Sequence, residues 1–288
     1  MQVKVLVDSG CDLTEQYYNE YDIEMIPLTV HLDGKDYKDN IEIAPKTIYD
    51  AMRAEKEPKT SQISPQTFKT IFTSYVKKNQ PFIYLAFSSG LSGTYQTAKM
   101  IEQEIKEDYP DAPFQVIDTK CASIGYGLVV LRAAKMALDG ASLESIAATA
   151  TYHAENMEHI FTVDDLEYLK RGGRVSKTAA FVGSLLSIKP ILHVDDGKLV
   201  PIEKIRGSKK LLKRMIEIMK ERGTDFQNQT IGISHGDDPK RAEQLANMIS
   251  SQFGIDRENI LIETIGAVIG AHSGPGTLAV FFLNQPYR

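Results

Sequence analysis

Short apolar runs divide the first half of the chain. Val3–Val7, Phe82–Phe87 and Phe114–Ile117 are rich in β-branched or aromatic residues and have the length of buried strands. Helical signals lie between and after them. Thr94, Ala98, Ile101 and Ile105 recur at helical spacing, Lys99–Ile105 continues that pattern, and Gly127–Leu138 is a long apolar helical stretch. Alternating strand and helix predicts a parallel sheet covered by helices. The second half reads differently. A strand at His159–Val163 leads into a short helix at Asp164–Lys170 and the turn Arg171-Gly172-Gly173-Arg174. Ser176 then caps a helix through Ala180, Phe181, Leu185 and Leu186, which Lys189-Pro190 ends. Asp195-Asp196-Gly197 between Ile191–Val194 and Leu199–Ile205 signals a hairpin. Helices at Lys209–Arg222 and Pro239–Gln252 alternate with strands at Thr230–Ser234, Ile260–Ile265 and Thr277–Leu283. The expectation is an α/β protein of two domains: a parallel-sheet domain over 1–155 and an α+β domain over 156–288.

Composition changes little in that picture. A chain of 288 residues, 42% hydrophobic and 25% charged, is ordinary for a globular protein of one large or two smaller domains. No run of 18 apolar residues exists, and Met1–Asp8 is strand-like with no small-residue cleavage site after it, so a cytoplasmic protein is expected. Cys11 and Cys121 lack metal spacing and read as reduced core or site-lining residues. A net charge of −5 argues against a nucleic-acid partner. The charge is uneven, however: Lys170–Arg214 holds twelve Lys/Arg and three Asp/Glu, a local +9 that leaves −14 for the rest. That asymmetry suits an acidic protein, a phosphorylated ligand or an anionic membrane surface, or else a solvated helix face around Lys209, Lys210, Lys213 and Arg214.

The candidate chemistry concentrates in Phe87-Ser88-Ser89-Gly90-Leu91-Ser92-Gly93-Thr94-Tyr95. A strand precedes this turn and a helix follows it, so free N–H groups and short hydroxyls meet at a positive helix end, where an anion can sit. The turn is not a P-loop, and it lacks the last glycine of a nucleophile elbow. Four hydroxyls and two glycines in seven residues exceed what an N-cap needs. A second hydroxyl set, Thr60-Ser61-Gln62, stands in a polar loop. Asp8–Asp12, Ser88–Thr94 and Asp118-Thr119-Lys120 each follow a strand, which predicts one crevice at the strands' carboxyl ends; Asp12 itself reads as a helix N-cap. His235-Gly236-Asp237-Asp238 invites a catalytic or metal reading, but two ligands without a third are thin, and His235 reads as a strand-end residue. A serine hydrolase or a phosphotransferase acting on an anionic small molecule is the alternative to a binding protein, and no Gly-x-Gly-x-x-Gly fingerprint supports a nucleotide binder.

Taken in order, these pieces resemble the DegV family, bacterial fatty-acid-binding proteins that include the FakB subunits of fatty-acid kinase. The resemblance covers Asp8-Ser9, Asp12-Leu13, Thr60-Ser61-Gln62, Ser88–Tyr95, Asp118-Thr119-Lys120, Asp164-Asp165-Leu166 and Leu169. It continues through Arg171–Arg174, Lys189-Pro190, Arg206, Gly266 and His272-Ser273-Gly274-Pro275-Gly276. It implies a two-domain DegV-like fold with one long-chain fatty acid, such as palmitate, in a tunnel between the domains. Thr60 and Ser92 would hydrogen-bond the carboxylate, with Ser61, Gly93 and His272 around it, and Phe161, Phe181, Leu185 and Ile269 hint at the tail's lining. The resemblance implies no catalytic residue, metal or cofactor of its own. A separate fatty-acid kinase would form the acyl phosphate, docking near Arg171 and Arg174, which the Gly-Gly turn would push outward. One departure stands out: Ile63 occupies the position after Thr-Ser-Gln where the family has proline, and Pro65 follows two residues later. The physics fits a carrier. Tail burial at about 0.8 kcal/mol per CH₂ gives at most ~10 kcal/mol for a sixteen-carbon chain, and each charge-assisted hydrogen bond adds roughly 1.5–3 kcal/mol. The tail therefore supplies affinity and the hydroxyls supply direction, without the bidentate arginine that would occupy both carboxylate oxygens.

Overall fold

The computed structural model describes residues 1–175 and 188–286. The expected helix starting at Ser176, with Phe181 and Leu185, lies outside the described residues. A four-stranded parallel sheet forms the first half: β1 (Lys4–Asp8), β2 (Ile23–Ile26), β6 (Phe82–Ala86) and β7 (Phe114–Asp118), in the order β2-β1-β6-β7. Every residue of β6 is buried, the signature of a strand covered on both faces. On one face lie α3 (Pro65–Lys77) and α4 (Thr94–Asp108). The predicted stripe of α4 points inward: Thr94, Ala98, Ile101 and Ile105 are all buried. Pro65 opens α3 at its first turn, and the Ser64 hydroxyl accepts the Thr67 amide, so the proline displaced from the family position starts a helix while Ile63 joins the core.

The other face is covered by α5 (Ser123–Leu138) and α6 (Leu143–Glu155), and α5 also packs on a second sheet. That sheet has six strands: β8 (Met157–Thr162), β9 (Ile188–Asp195), β10 (Lys198–Arg206), β11 (Ile231–His235), β12 (Ile260–Thr264) and β13 (Leu278–Leu283), in the order β10-β9-β8-β13-β11-β12. Only β11 and β12 run parallel; the remaining pairs are antiparallel. Helices α8 (Ser208–Arg222) and α9 (Pro239–Phe253) cover its outer face. Lying between two sheets, α5 is apolar almost all round, which explains its unpatterned run. Its close approach needs glycine: a Cβ at Gly127 would stand 2.8 Å from the Cys11 carbonyl oxygen.

Three short antiparallel strands, β3 (Thr29–Leu32), β4 (Lys35–Lys38) and β5 (Lys59–Ser61), form a third sheet in the order β4-β3-β5. Near it lie α2 (Pro45–Arg53), α7 (Leu166–Arg171) and α10 (Ala267–Ser273), the last packing on α2, α7, β3 and β5, while α1 (Glu15–Glu20) packs on β2. Three expectations are corrected here. Thr60-Ser61 is strand rather than loop, because β5 pairs with β3 through Thr29↔Ser61 and Val30↔Thr60. Lys189-Pro190 lies inside β9 rather than ending a helix; β8 pairs only as far as Ile191, so no neighbour on that side needs the N–H that Pro190 lacks. Asp12 is no N-cap: with a left-handed φ of 53° it closes the short 3-10 turn Ser9–Cys11, its amide donating to the Ser9 carbonyl, and its buried side chain binds Ser123 and Gly266. The hairpin at Asp195-Asp196-Gly197 forms as its turn chemistry predicts.

Candidate functional site: an apolar cavity with a cationic head

Asp8 organises the carboxyl end of the parallel sheet. Its carboxylate accepts the Tyr84 hydroxyl and the Phe87 amide, each at 2.9 Å, and the Gly10 amide at 3.1 Å. Burial pushes this carboxyl up to about 6, against the pull of those donors. Asp118 accepts the amides of Ser89 (3.1 Å) and Lys120 (3.0 Å). The three loops expected to converge do so. Within the serine turn the hydroxyls divide their work. Ser88 Oγ donates to the Gly197 carbonyl (2.7 Å), holding the β9–β10 hairpin against the turn. Ser92 Oγ accepts the Thr94 amide (3.2 Å), a cap-like bond, and lines the cavity as well.

That cavity of about 390 Å³ lies between the six-stranded sheet and the loops at the carboxyl end of the four-stranded one, within the range of small-molecule sites. Phe161, Phe281, Leu199, Val268 and Ile269 make much of its wall. Its polar end gathers four expected residues. Thr60 Oγ1 lies 2.7 Å from His272 Nε2, and Ser92 and Gly93 line the same space. Gly93 is where Gln62 leans across: a Cβ there would fall 2.1 Å from Gln62 Oε1, while Gln62 Nε2 donates to Thr97 Oγ1 (2.8 Å). Ser61 reaches the lining, but its hydroxyl is engaged elsewhere, 2.5 Å from His31 Nε2, and His31 Nδ1 lies 2.6 Å from Asp36. His272 is held between Thr60 and the glycine turn; burial, aided by the Arg174 charge, pulls it down to about 4, so its ring is neutral near pH 7.

Arg174 is the residue whose placement the sequence misreads. Gly173 takes a φ of 72°, the Arg174 amide bonds back to the Leu169 carbonyl (2.9 Å), and the side chain turns into the cavity wall. Its Nε donates to the Leu91 carbonyl (3.2 Å) and its Nη1 to the Gly172 carbonyl. Among the described residues no carboxylate pairs with it, and burial lowers its pKa. Arg171, by contrast, faces solvent and pairs with Glu57 at 2.9 Å. The basic segment is no single patch: Arg214 is ringed by Glu203, Glu217 and Glu221, and Lys189 pairs with Asp164. His235 ends β11 and its Nδ1 accepts the Asp238 amide (3.3 Å); among the described residues no cluster of three metal-type ligands forms. Among them, too, no helix is long and apolar enough to cross a membrane. The two cysteines are buried and free.

With this geometry in place, the comparisons agree on one assignment. Residues 2–285 match the family described as uncharacterised proteins of the DegV family. A DegV domain-containing protein of Clostridium perfringens is 44% identical over 284 residues, covering 98% of this chain and 97% of its own. A solved DegV family protein of Thermus thermophilus, described as binding fatty acid, is 31% identical with a TM-score of 0.89, covering 98% of this chain and 99% of its own. A stearic-acid-binding protein of Eubacterium ventriosum is 27% identical with a TM-score of 0.86, covering 98% of both chains. The chain belongs to the DegV family.

The depressed pKa of His272 has a pH signature. Folded, it titrates near 4 and unfolded near its ordinary 6.5, so the unfolded chain binds more protons in that window and stability falls as pH drops through it. The His272→Gln variant is expected to lose less stability than the parent between about pH 6.5 and 4 in urea titrations, and equal losses would count against a neutral, desolvated His272.

Proposed function

We propose that this chain binds one long-chain fatty acid in the cavity, tail along Phe161 and Ile269, carboxylate among Thr60, Ser92, His272 and Arg174, and presents it to a separate kinase. The observation that carries the reading is Arg174: a half-buried cation that has no carboxylate partner among the described residues and lines a mostly apolar cavity. A buried unpaired charge is costly, and an anionic head group offsets that cost. Nε and Nη1 each give one hydrogen bond to a carbonyl oxygen, which leaves the remaining guanidinium N–H groups and the charge for the carboxylate. The fatty-acid-binding relatives from Thermus thermophilus and Eubacterium ventriosum support the ligand class. The kinase rests on the family resemblance, with Arg171 exposed just outside the head end as its contact, and a cytoplasmic setting supplies the ATP. Transient contact with an anionic membrane surface fits acyl loading.

A second reading, an acyl hydrolase, is favoured by one arrangement: Ser61, His31 and Asp36 are linked in series at the cavity's polar end. It ranks second because the Asp36 side chain is 74% exposed, and an ion pair in water fixes geometry weakly, at about 0–1 kcal/mol.

Three outcomes test these readings. Protein carrying Thr60→Ala with Ser92→Ala should fold yet retain at least tenfold less fatty acid on organic extraction, as expected from losing two head-group bonds of roughly 1.5 kcal/mol or more each; full lipid occupancy would sink the head-group assignment. Arg171→Glu should purify with lipid but support little acyl-phosphate formation once kinase and ATP are added. A fluorophosphonate should leave Ser61 unlabelled, and a Ser61 adduct with turnover of acyl esters would promote the hydrolase.

A further inference from the structure

The cavity is not apolar throughout. One face of α10 runs along it, presenting Val268, Ile269, His272 and Ser273. The helix is tied at both ends. At its last turn His272 meets Thr60, and at its start the Gly266 amide donates to Asp12 Oδ1 (2.9 Å). The other oxygen of Asp12 accepts the Ser123 hydroxyl, and Ser123 Oγ lies 3.0 Å from Ser234 Oγ. Six residues of helix at about 1.5 Å each separate Gly266 from His272 by roughly 9 Å, and the serine pair is tied through Asp12 to the Gly266 end, away from Thr60 and His272. The strand register agrees. Ser234 of β11 stands opposite Ala279 of β13, which stands opposite Phe161 of β8, so the three share one row of the cavity floor.

We propose that Ser234, backed by Ser123, forms a second polar subsite that recognises a mid-chain hydroxyl, so that hydroxylated fatty acids are ligands of this protein. The inference rests on the fatty-acid reading above. Both serines are buried, and both line a space where a plain hydrocarbon tail needs no hydroxyl. Ser123 directs its hydrogen to Asp12. Among the described residues the Ser234 hydroxyl bonds to Ser123 alone, and a hydroxyl offers one donor and two acceptor positions, so it keeps capacity for a group inside the cavity. His159, one row deeper, has none to spare: Nε2 accepts the Ala122 amide (3.1 Å) and Nδ1 faces the Met157 carbonyl (3.0 Å). A chain hydroxyl buried without a partner would lose roughly ten- to a hundredfold in affinity, and Ser234 removes that penalty.

The test is competition. Delipidated protein is equilibrated with an equimolar mixture of stearic acid and mid-chain hydroxystearic acid, and the bound lipids are quantified by mass spectrometry after extraction. The parent protein should hold the hydroxy acid at least as well as stearate. Ser234→Ala, and Ser234→Cys which preserves the side chain's volume, should lower the hydroxystearate-to-stearate ratio by about tenfold. If the parent binds stearate but excludes the hydroxy acid, or if the ratio is the same in the parent and both variants, the subsite is wrong and the fatty-acid reading stands. If the parent retains neither acid, the fatty-acid reading itself falls, and the subsite with it.

Discussion

A single buried carboxyl draws together what the chain keeps apart. Asp12 follows β1, yet it bonds the first residue of α5 and the amide that opens α10, segments 111 and 254 residues away. Burial raises its proton affinity well above the ordinary carboxylate range, so the group tolerates its position only while those donors remain in reach. The left-handed backbone at Asp12 aims the side chain at them. With Asp12 at one end of α10 and Thr60 at the other, the helix becomes a fixed wall, and the space beneath it becomes a cavity of set length.

The electrostatics of that cavity are asymmetric by construction. At the head, Arg174 keeps a charge that no side chain among the described residues neutralises, while the neighbouring His272 is held neutral by the same desolvation. One fixed positive charge beside neutral donors is enough to orient an anion without gripping both of its oxygens. Asp8 lies behind the serine turn and bonds only inward, so its carboxyl shapes the loop without opposing an anion directly.

Much of this was legible where the physics is local. Strands β1, β6 and β7 announce themselves through β-branched and aromatic runs, and the β9–β10 hairpin through Asp196-Gly197, whose positive φ values of 43° and 77° its turn requires. What escaped depends on distance or direction. Lys59-Thr60-Ser61 is too short and too polar to read as strand, and only β3 makes it one. Thr60 finds His272 across 212 residues, which no spacing encodes. Arg174 was misread because Gly172-Gly173 signals freedom of the backbone, not which way the next side chain turns. The hydroxyls of the serine turn were recognised as a group, but their division between hairpin and cavity depends on a partner strand in the other half.

The placement of α5 bears on how the molecule moves. A helix buried on nearly every face, shared by two sheets, belongs to neither half alone. Swinging the sheets apart about a hinge would strip that helix of one apolar coat and expose a continuous hydrophobic surface to water, a large penalty for a protein of this size. The shared helix therefore couples the two sheets, and small local excursions of the rim cost less than parting them. Motion is then left to the edges of the molecule, while its middle keeps the shape of the cavity.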